Sequence, residues 1–170
     1  MSVLSSSEIE RIETKAEDIL QSVYGNVDEI ELPIDLKRVL DKYNIQLKQG
    51  EFTKDPEISG IYDREEGAIY VAKDDVPQRK SFTVAHELGH YFLHQDKSSE
   101  IFYRRQVTQI DEETIYDEAQ ANWFAASLLM PKDLVIKYWR LTKDKDEIAA
   151  IFGTSPIAVY YRLKNLGLIT

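Results

Sequence analysis

The 170-residue chain contains no cysteine. That excludes disulfide staples and the thiolate-rich closed zinc sites of structural fingers, so a metal site here has to draw on His, Asp or Glu. The absence also fits a reducing compartment. Long apolar runs are missing too: no stretch approaches the roughly 18 residues that a membrane-spanning helix needs. The N-terminus, Met1-Ser2-Val3-Leu4-Ser5-Ser6-Ser7-Glu8-Ile9-Glu10, lacks the basic start and apolar centre of a secretion signal. A soluble, cytoplasmic protein is therefore expected. An excess of positive charge is likewise absent. The formal net charge of −9 counts against a nucleic-acid-binding role for the chain as a unit. The balance is uneven, however: residues 132–170 carry 7 basic and 4 acidic side chains, a net of +3, against −12 for the first 131 residues.

The length suits one compact domain that buries a core without covalent staples. Neither an internal repeat nor a low-complexity tract interrupts it. Ser7 and Glu10 have the spacing of a capping box. Ile9, Ile12, Ala16, Ile19, Leu20 and Val23 continue it as an apolar stripe at helical spacing, ending near Gly25-Asn26. Pro33 suits the first turn of a second helix over 34–42, packing through Leu36, Val39 and Leu40. The period then shortens. Ile45 with Leu47, 58–62 and 68–71 read as strands, and Asp63-Arg64-Glu65-Glu66-Gly67 as the turn of a hairpin within a small antiparallel sheet. An edge strand of such a sheet can pair with an extended peptide. Helices are expected over 78–94 and 112–130, with residues 97–108 irregular and two or three shorter helices to the end.

The chemistry concentrates in Phe82-Thr83-Val84-Ala85-His86-Glu87-Leu88-Gly89-His90. Residues four apart share one face of a helix, so the imidazoles of His86 and His90 can converge on one metal ion. Glu87 lies about 100° further round, where a carboxylate can reach the water to be activated without ligating the metal. Burying two imidazoles and a glutamate on an otherwise apolar helix is costly unless a metal or strong partners satisfy them.

A catalytic zinc usually takes a third protein ligand. His94 continues the four-residue spacing, but at about 1.5 Å per residue it lies about 12 Å along the helix from His86, too far to share an ion. It reads instead as a C-terminal helix residue or a surface residue. The acids before the next apolar stretch are the better source: Asp111, Glu112, Glu113, Asp117 and Glu118. Glu118 is the best placed, on one helix face with Ala121, Asn122 and Ala125, whose small size lets two helices pack closely. Asp117 is the weaker alternative.

The run from Arg79 through the His86-Glu87-Leu88-Gly89-His90 motif to His94 resembles the signature of the ImmA/IrrE family of zinc metallopeptidases. So does the later run Glu118-Ala119-Gln120-Ala121-Asn122-Trp123-Phe124-Ala125-Ala126 through Pro131. The resemblance covers roughly residues 30–165. It implies an α+β fold: a mostly helical zincin-like core over 1–131 with a small antiparallel sheet, and a helix-turn-helix-like segment over 132–170 packed on it. It implies zinc as cofactor, with manganese or iron able to use the same donors. The metal ligands would be His86, His90 and Glu118, and Glu87 the general base. Where the family often has another acid, two residues before the asparagine, this chain has Gln120. Asn122 is a candidate to orient a ligand, and Tyr62, Tyr70, Tyr103 and His94 are candidates to stabilise an oxyanion. Arg79 is a candidate ion-pair anchor at the helix start.

The implied activity is endoproteolysis of a protein substrate, a helix-turn-helix repressor as in other family members. A rival reading comes from Ala149, Gly153 and Val159, which fit the small, turn and apolar positions of a helix-turn-helix, with Ser155 and Pro156 opening its second helix. On that reading the chain is a DNA-binding regulator with a structural or inactive metal site. The second helix, however, offers Tyr160, Tyr161, Arg162, Lys164 and Asn165, with few base-reading side chains at its start.

Overall fold

The computed structural model describes residues 3–51, 60–95 and 112–170. In chain order the described elements are α1 (Ser6–Tyr24), a short 3-10 turn (Val27–Glu29), α2 (Leu36–Lys42), β1 (Gln46–Gly50), β2 (Gly60–Asp63), β3 (Ala68–Ala72), α3 (Pro77–Leu93), α4 (Glu112–Leu129), α5 (Lys132–Thr142), α6 (Lys145–Phe152) and α7 (Pro156–Asn165). This is the expected α+β architecture, helical with one small sheet. Ile58, Asp111 and the stretch 97–108 with Tyr103 lie outside the described residues.

The first helix opens two residues earlier than its sequence suggests. Ser5 and Glu8, not Ser7 and Glu10, form the capping box. Both pairs have the right spacing, but the earlier one puts Leu4 at N′ and Ile9 at N4, the positions of a hydrophobic staple. Leu4 is buried accordingly. The second helix opens later, because Asp35 caps it and accepts from the Lys37 amide. Pro33 stays outside it and packs against the turn at Gly153, where an added Cβ would come within 2.9 Å of the proline ring.

The sheet is mixed rather than antiparallel. β2 and β3 form the expected hairpin, with Tyr62 opposite Ile69. β1 joins the other side of β3 in parallel, Leu47 opposite Ile69, so the order is β1-β3-β2. The hairpin turn is short and local. The parallel pair needs the chain to travel out and back between β1 and β3, which strand periodicity cannot reveal.

α4 packs against both α3 and α1, and β2 and β3 lie on α3. The apolar stripe of α1 is buried at Ile12, Ala16, Ile19 and Leu20. α5–α7 share the apolar core of this body, and one buried ion pair links them to it as well. Arg162 of α7 is 1% exposed. Its Nε donates to the Met130 carbonyl at 3.0 Å and its guanidinium forms a two-pronged pair with Glu13 of α1, Nη2 to Oε2 at 2.8 Å. Trp123 of α4 donates to the same carboxylate at 2.9 Å. Burial raises the Glu13 pKa, but the bonds and charge of Arg162 outweigh it and hold the carboxyl below its ordinary value of 4.5.

Removing one partner of a buried pair leaves the other uncompensated, at a cost of about 3–5 kcal/mol. Glu13→Ala is therefore expected to lose about 3 kcal/mol of unfolding free energy in urea at pH 7. Because the folded-state value is depressed, the contribution is complete above the ordinary carboxyl range and fades as pH falls through the folded value. The gap between wild type and variant should accordingly narrow below about pH 4.

Candidate metal centre

α3 starts at Pro77, a residue suited to a first helical turn. Arg79 Nε lies 3.4 Å from Asp75 just before it, the expected anchor. From Thr83 to His90 every residue of α3 is buried. Two glycines make this burial feasible. An added Cβ on Gly89 would stand 2.9 Å from Ala121 Cα and 3.0 Å from its carbonyl oxygen, so α3 and α4 touch backbone to backbone there. An added Cβ on Gly60 would stand 2.3 Å from Thr83 Cγ2, so β2 lies directly on α3.

Close contact brings His86, His90 and Glu118 together. His86 Nε2 and His90 Nε2 are 3.1 Å apart, and Glu118 oxygens lie 3.4 Å from the first and 3.3 Å from the second. Zinc bonds of about 2.0–2.1 Å at tetrahedral angles would separate donor atoms by about 3.3 Å. Each carboxylate oxygen of Glu118 faces one imidazole at about that separation, one donor atom from each residue lies within 4.8 Å of the others, and the chemistry of two imidazoles and one carboxylate suits a divalent cation. Among the described residues this trio is the one group of such side chains close enough to hold an ion.

The charges around it point the same way. For Glu118, burial raises the pKa, yet hydrogen bonds and charge from His86 and His90 prevail and hold it far below the ordinary carboxyl range. For His86, burial acts downward, but the Glu118 bond and the Glu87 and Glu118 charges lift it above 6.5. For His90, burial prevails and the value falls. The Glu118 carboxylate is thus held in its charged form against the two imidazoles, while burial disfavours a proton on His90.

Glu87 is buried beside the trio and accepts at 3.0 Å from the Tyr62 amide of β2. Asn122, one turn beyond Glu118, accepts through Oδ1 at 2.9 Å from His86 Nδ1. Of the two readings of His94, the helix C-terminal one holds and the surface one does not: His94 is the C-cap of α3 and 5% exposed. Its Nδ1 lies 3.0 Å from His90 Nδ1, and its Nε2 lies 2.9 Å from Gln120 Oε1 and 3.6 Å from Asp117 Oδ1. Asp117 is thus buried behind the trio rather than within it, whereas Glu112 and Glu113 are exposed. Sequence reading missed this second layer. The i, i+4 spacing of His90 and His94 was the available signal, since it allows ring-to-ring contact even where it forbids a shared ion. Of the oxyanion candidates, the Tyr70 hydroxyl is engaged by Glu66 and Lys48, and Tyr62 sets its ring edge-on to Tyr91 at 5.3 Å. Tyr103 lies outside the described residues.

A helix carrying two such histidines, a second helix presenting a glutamate and a small sheet against the first helix define a metallopeptidase-type domain. Residues 41–164 match the M78 peptidase family described as the IrrE N-terminal-like domain, and the chain belongs to that family. It is 30% identical over 92 residues to Metallopeptidase ImmA of Bacillus subtilis (strain 168), covering 53% of this chain and 52% of that protein. It is 30% identical over 99 residues to the uncharacterized immunity region protein 2 of Bacillus phage phi105, covering 57% of this chain and 60% of that one. The chain thus spans about half to three-fifths of the length of these relatives. A solved Mycobacterium tuberculosis transcriptional regulator shares the fold, with a TM-score of 0.67 over 91% of this chain and 47% of that chain, at 20% identity. No helix among the described residues is long and apolar enough to cross a membrane.

Gly89 sets the spacing on which the trio depends. Gly89→Ala gains about 1 kcal/mol of helix propensity. The new methyl meets backbone rather than a yielding side chain, and overpacking of that kind costs about 1–3 kcal/mol. The variant is expected to be less stable than wild type and to bind Zn²⁺ more weakly, read by thermal melting and by competition with a chromophoric chelator.

Proposed function

We propose that this chain is a zinc-dependent endopeptidase that cleaves a specific regulatory protein, with Glu87 as general base and His86, His90 and Glu118 as metal ligands. The observation that carries the reading is the convergence of one donor atom each from His86, His90 and Glu118 within 4.8 Å, next to a buried Glu87 whose carboxylate is held by the Tyr62 amide. His86, His90 and Glu118 would hold a divalent cation, which would supply Lewis-acid polarisation of a scissile carbonyl and a water acidic enough to lose a proton near neutrality. Glu87 takes the proton of the attacking water and passes it to the leaving amine. The Tyr62 amide holds the Glu87 carboxylate in place for both transfers. Asn122 fixes His86 with its Nε2 toward the metal position. Manganese or iron fits the same donors.

β2 is the strand at the α3 side of the sheet, and an extended substrate backbone running along that edge would pass beside Glu87. The resemblance to ImmA-type peptidases, and to a protein named for a phage immunity region, supports a helix-turn-helix repressor as substrate and the cytoplasm as the place of action. The DNA-binding reading has less to stand on. α7 exposes Ile157 and Tyr161, while its Arg162 is buried in the pair with Glu13.

Removing a positioned acid–base group typically costs 10²–10⁴-fold in rate. Glu87→Gln should retain zinc at one ion per chain yet cleave a co-expressed repressor at least about 100-fold more slowly. Wild-type cleavage by that variant would remove Glu87 from the mechanism.

A further inference from the structure

We infer that His94 is a positioning residue, the acceptor that locks His90 in its metal-binding tautomer and ties it to α4. The inference rests on the reading of His86, His90 and Glu118 as metal ligands. His90 turns its Nε2 toward His86 and Glu118, so that nitrogen has to carry the lone pair when a cation binds. The ring hydrogen then sits on Nδ1, which points at His94 Nδ1 3.0 Å away. Two hydrogens cannot occupy that contact. His94 therefore accepts there and carries its own hydrogen on Nε2, which faces Gln120 Oε1 at 2.9 Å with the Asp117 carboxylate at 3.6 Å. A single pattern of donors and acceptors satisfies the whole chain from Glu118 through His90 and His94 to α4. It leaves His90 oriented and, with a carboxylate behind the second imidazole, a stronger electron donor.

The placement of His94 is determined from two sides. Its side chain is enclosed by Asp117 and Gln120 of α4, both buried. Its backbone is held by the hairpin: Arg64, in the β2–β3 turn, donates to the His94 carbonyl at 2.6 Å and to the Gln95 carbonyl at 3.0 Å. These carbonyls lie at the C-cap of α3 and one residue beyond it, where a cation is also favoured by the helix dipole. The ring cannot swing away from His90 without giving up its contacts to α4, and Arg64 holds the backbone that carries it. His86 is served differently, by the Asn122 amide alone. The two histidines thus receive their orientation from opposite ends of one α4 segment.

The test compares two variants of nearly equal size. His94→Asn keeps an acceptor where Nδ1 stood; His94→Leu keeps the bulk and removes it. Zn²⁺ affinity of the full chain is measured by competition with a chromophoric chelator, and the metal-free proteins are melted in parallel. His94→Leu should bind Zn²⁺ about 10–100-fold more weakly, and His94→Asn should stay near wild type. The metal-free melting points of the two should agree. If His94→Leu does not fold, His94→Gln replaces it, because glutamine puts its polar end near the Nε2 position and leaves His90 without an acceptor. Equal loss in the acceptor-bearing and acceptor-lacking variants, or wild-type affinity in both, overturns the inference. Failure of the peptidase reading looks different: wild type that binds zinc but cleaves no polypeptide defeats that reading and leaves the role of His94 standing. Wild type that takes up no zinc defeats both.

Discussion

The contact between Gly89 and Ala121 is the constraint that the rest of the site depends on. Two helices normally pack 8–10 Å apart, and side chains at the crossing keep them there. Here a glycine on α3 meets an alanine on α4 with no room for a further methyl group. The polar residues on either side of the crossing are consequently within bonding distance of one another. Glu118 reaches His86 and His90 on one flank, Asn122 reaches His86, and Gln120 reaches His94. The hydrogen bonds follow from the packing. Widening the crossing by an ångström would leave buried imidazoles facing gaps, at the cost of unsatisfied polar groups.

Asp117 and Glu118 show how position on a helix divides labour between two similar acids. They are adjacent in sequence and therefore about 100° apart around α4. Glu118, one carbon longer and partly exposed, lies against the Nε2 atoms that face the open side of the site. Asp117 is buried on the closed side, behind His94. Exposure matters for the first under the proposed peptidase role, because a polypeptide would have to approach it. Burial suits the second, because its field acts on a neighbouring ring without being screened by water.

Local features were the legible ones. The spacing of His86 and His90, the helical stripe of α1, the hairpin around Gly67 and the serine cap of α7 all follow from residues within a turn or two of each other. The acid that completes the trio stayed open among several until the resemblance singled out Glu118; helical spacing narrows that choice but does not make it. What escaped were features set by distant partners. His94 looked peripheral because Gln120 and Asp117, which enclose it, belong to another helix. The parallel pairing of β1 was hidden because it depends on the path between strands. The cap of α1 was misplaced because two serine–glutamate pairs compete, and burial of Leu4 decides between them.

The charge asymmetry of the chain acquires a different meaning once Arg162 is placed. A net of +3 beyond residue 131 suggests a surface for an anionic partner. Much of that positive charge is instead used within the fold. Arg162 is sealed against Glu13. Lys143 lies over Trp139, and Lys145 and Lys164 over Tyr160, with 5.0, 5.3 and 6.0 Å between nitrogen and ring centre. Cations held over aromatic rings are still charged, but none of these three lysines stands at the start of α7, where a recognition helix would present them. That helix exposes Ile157 and Tyr161 together with Pro156, Lys164 and Asn165. A helix-turn-helix outline therefore says little about DNA until the side chains that would read it have been located.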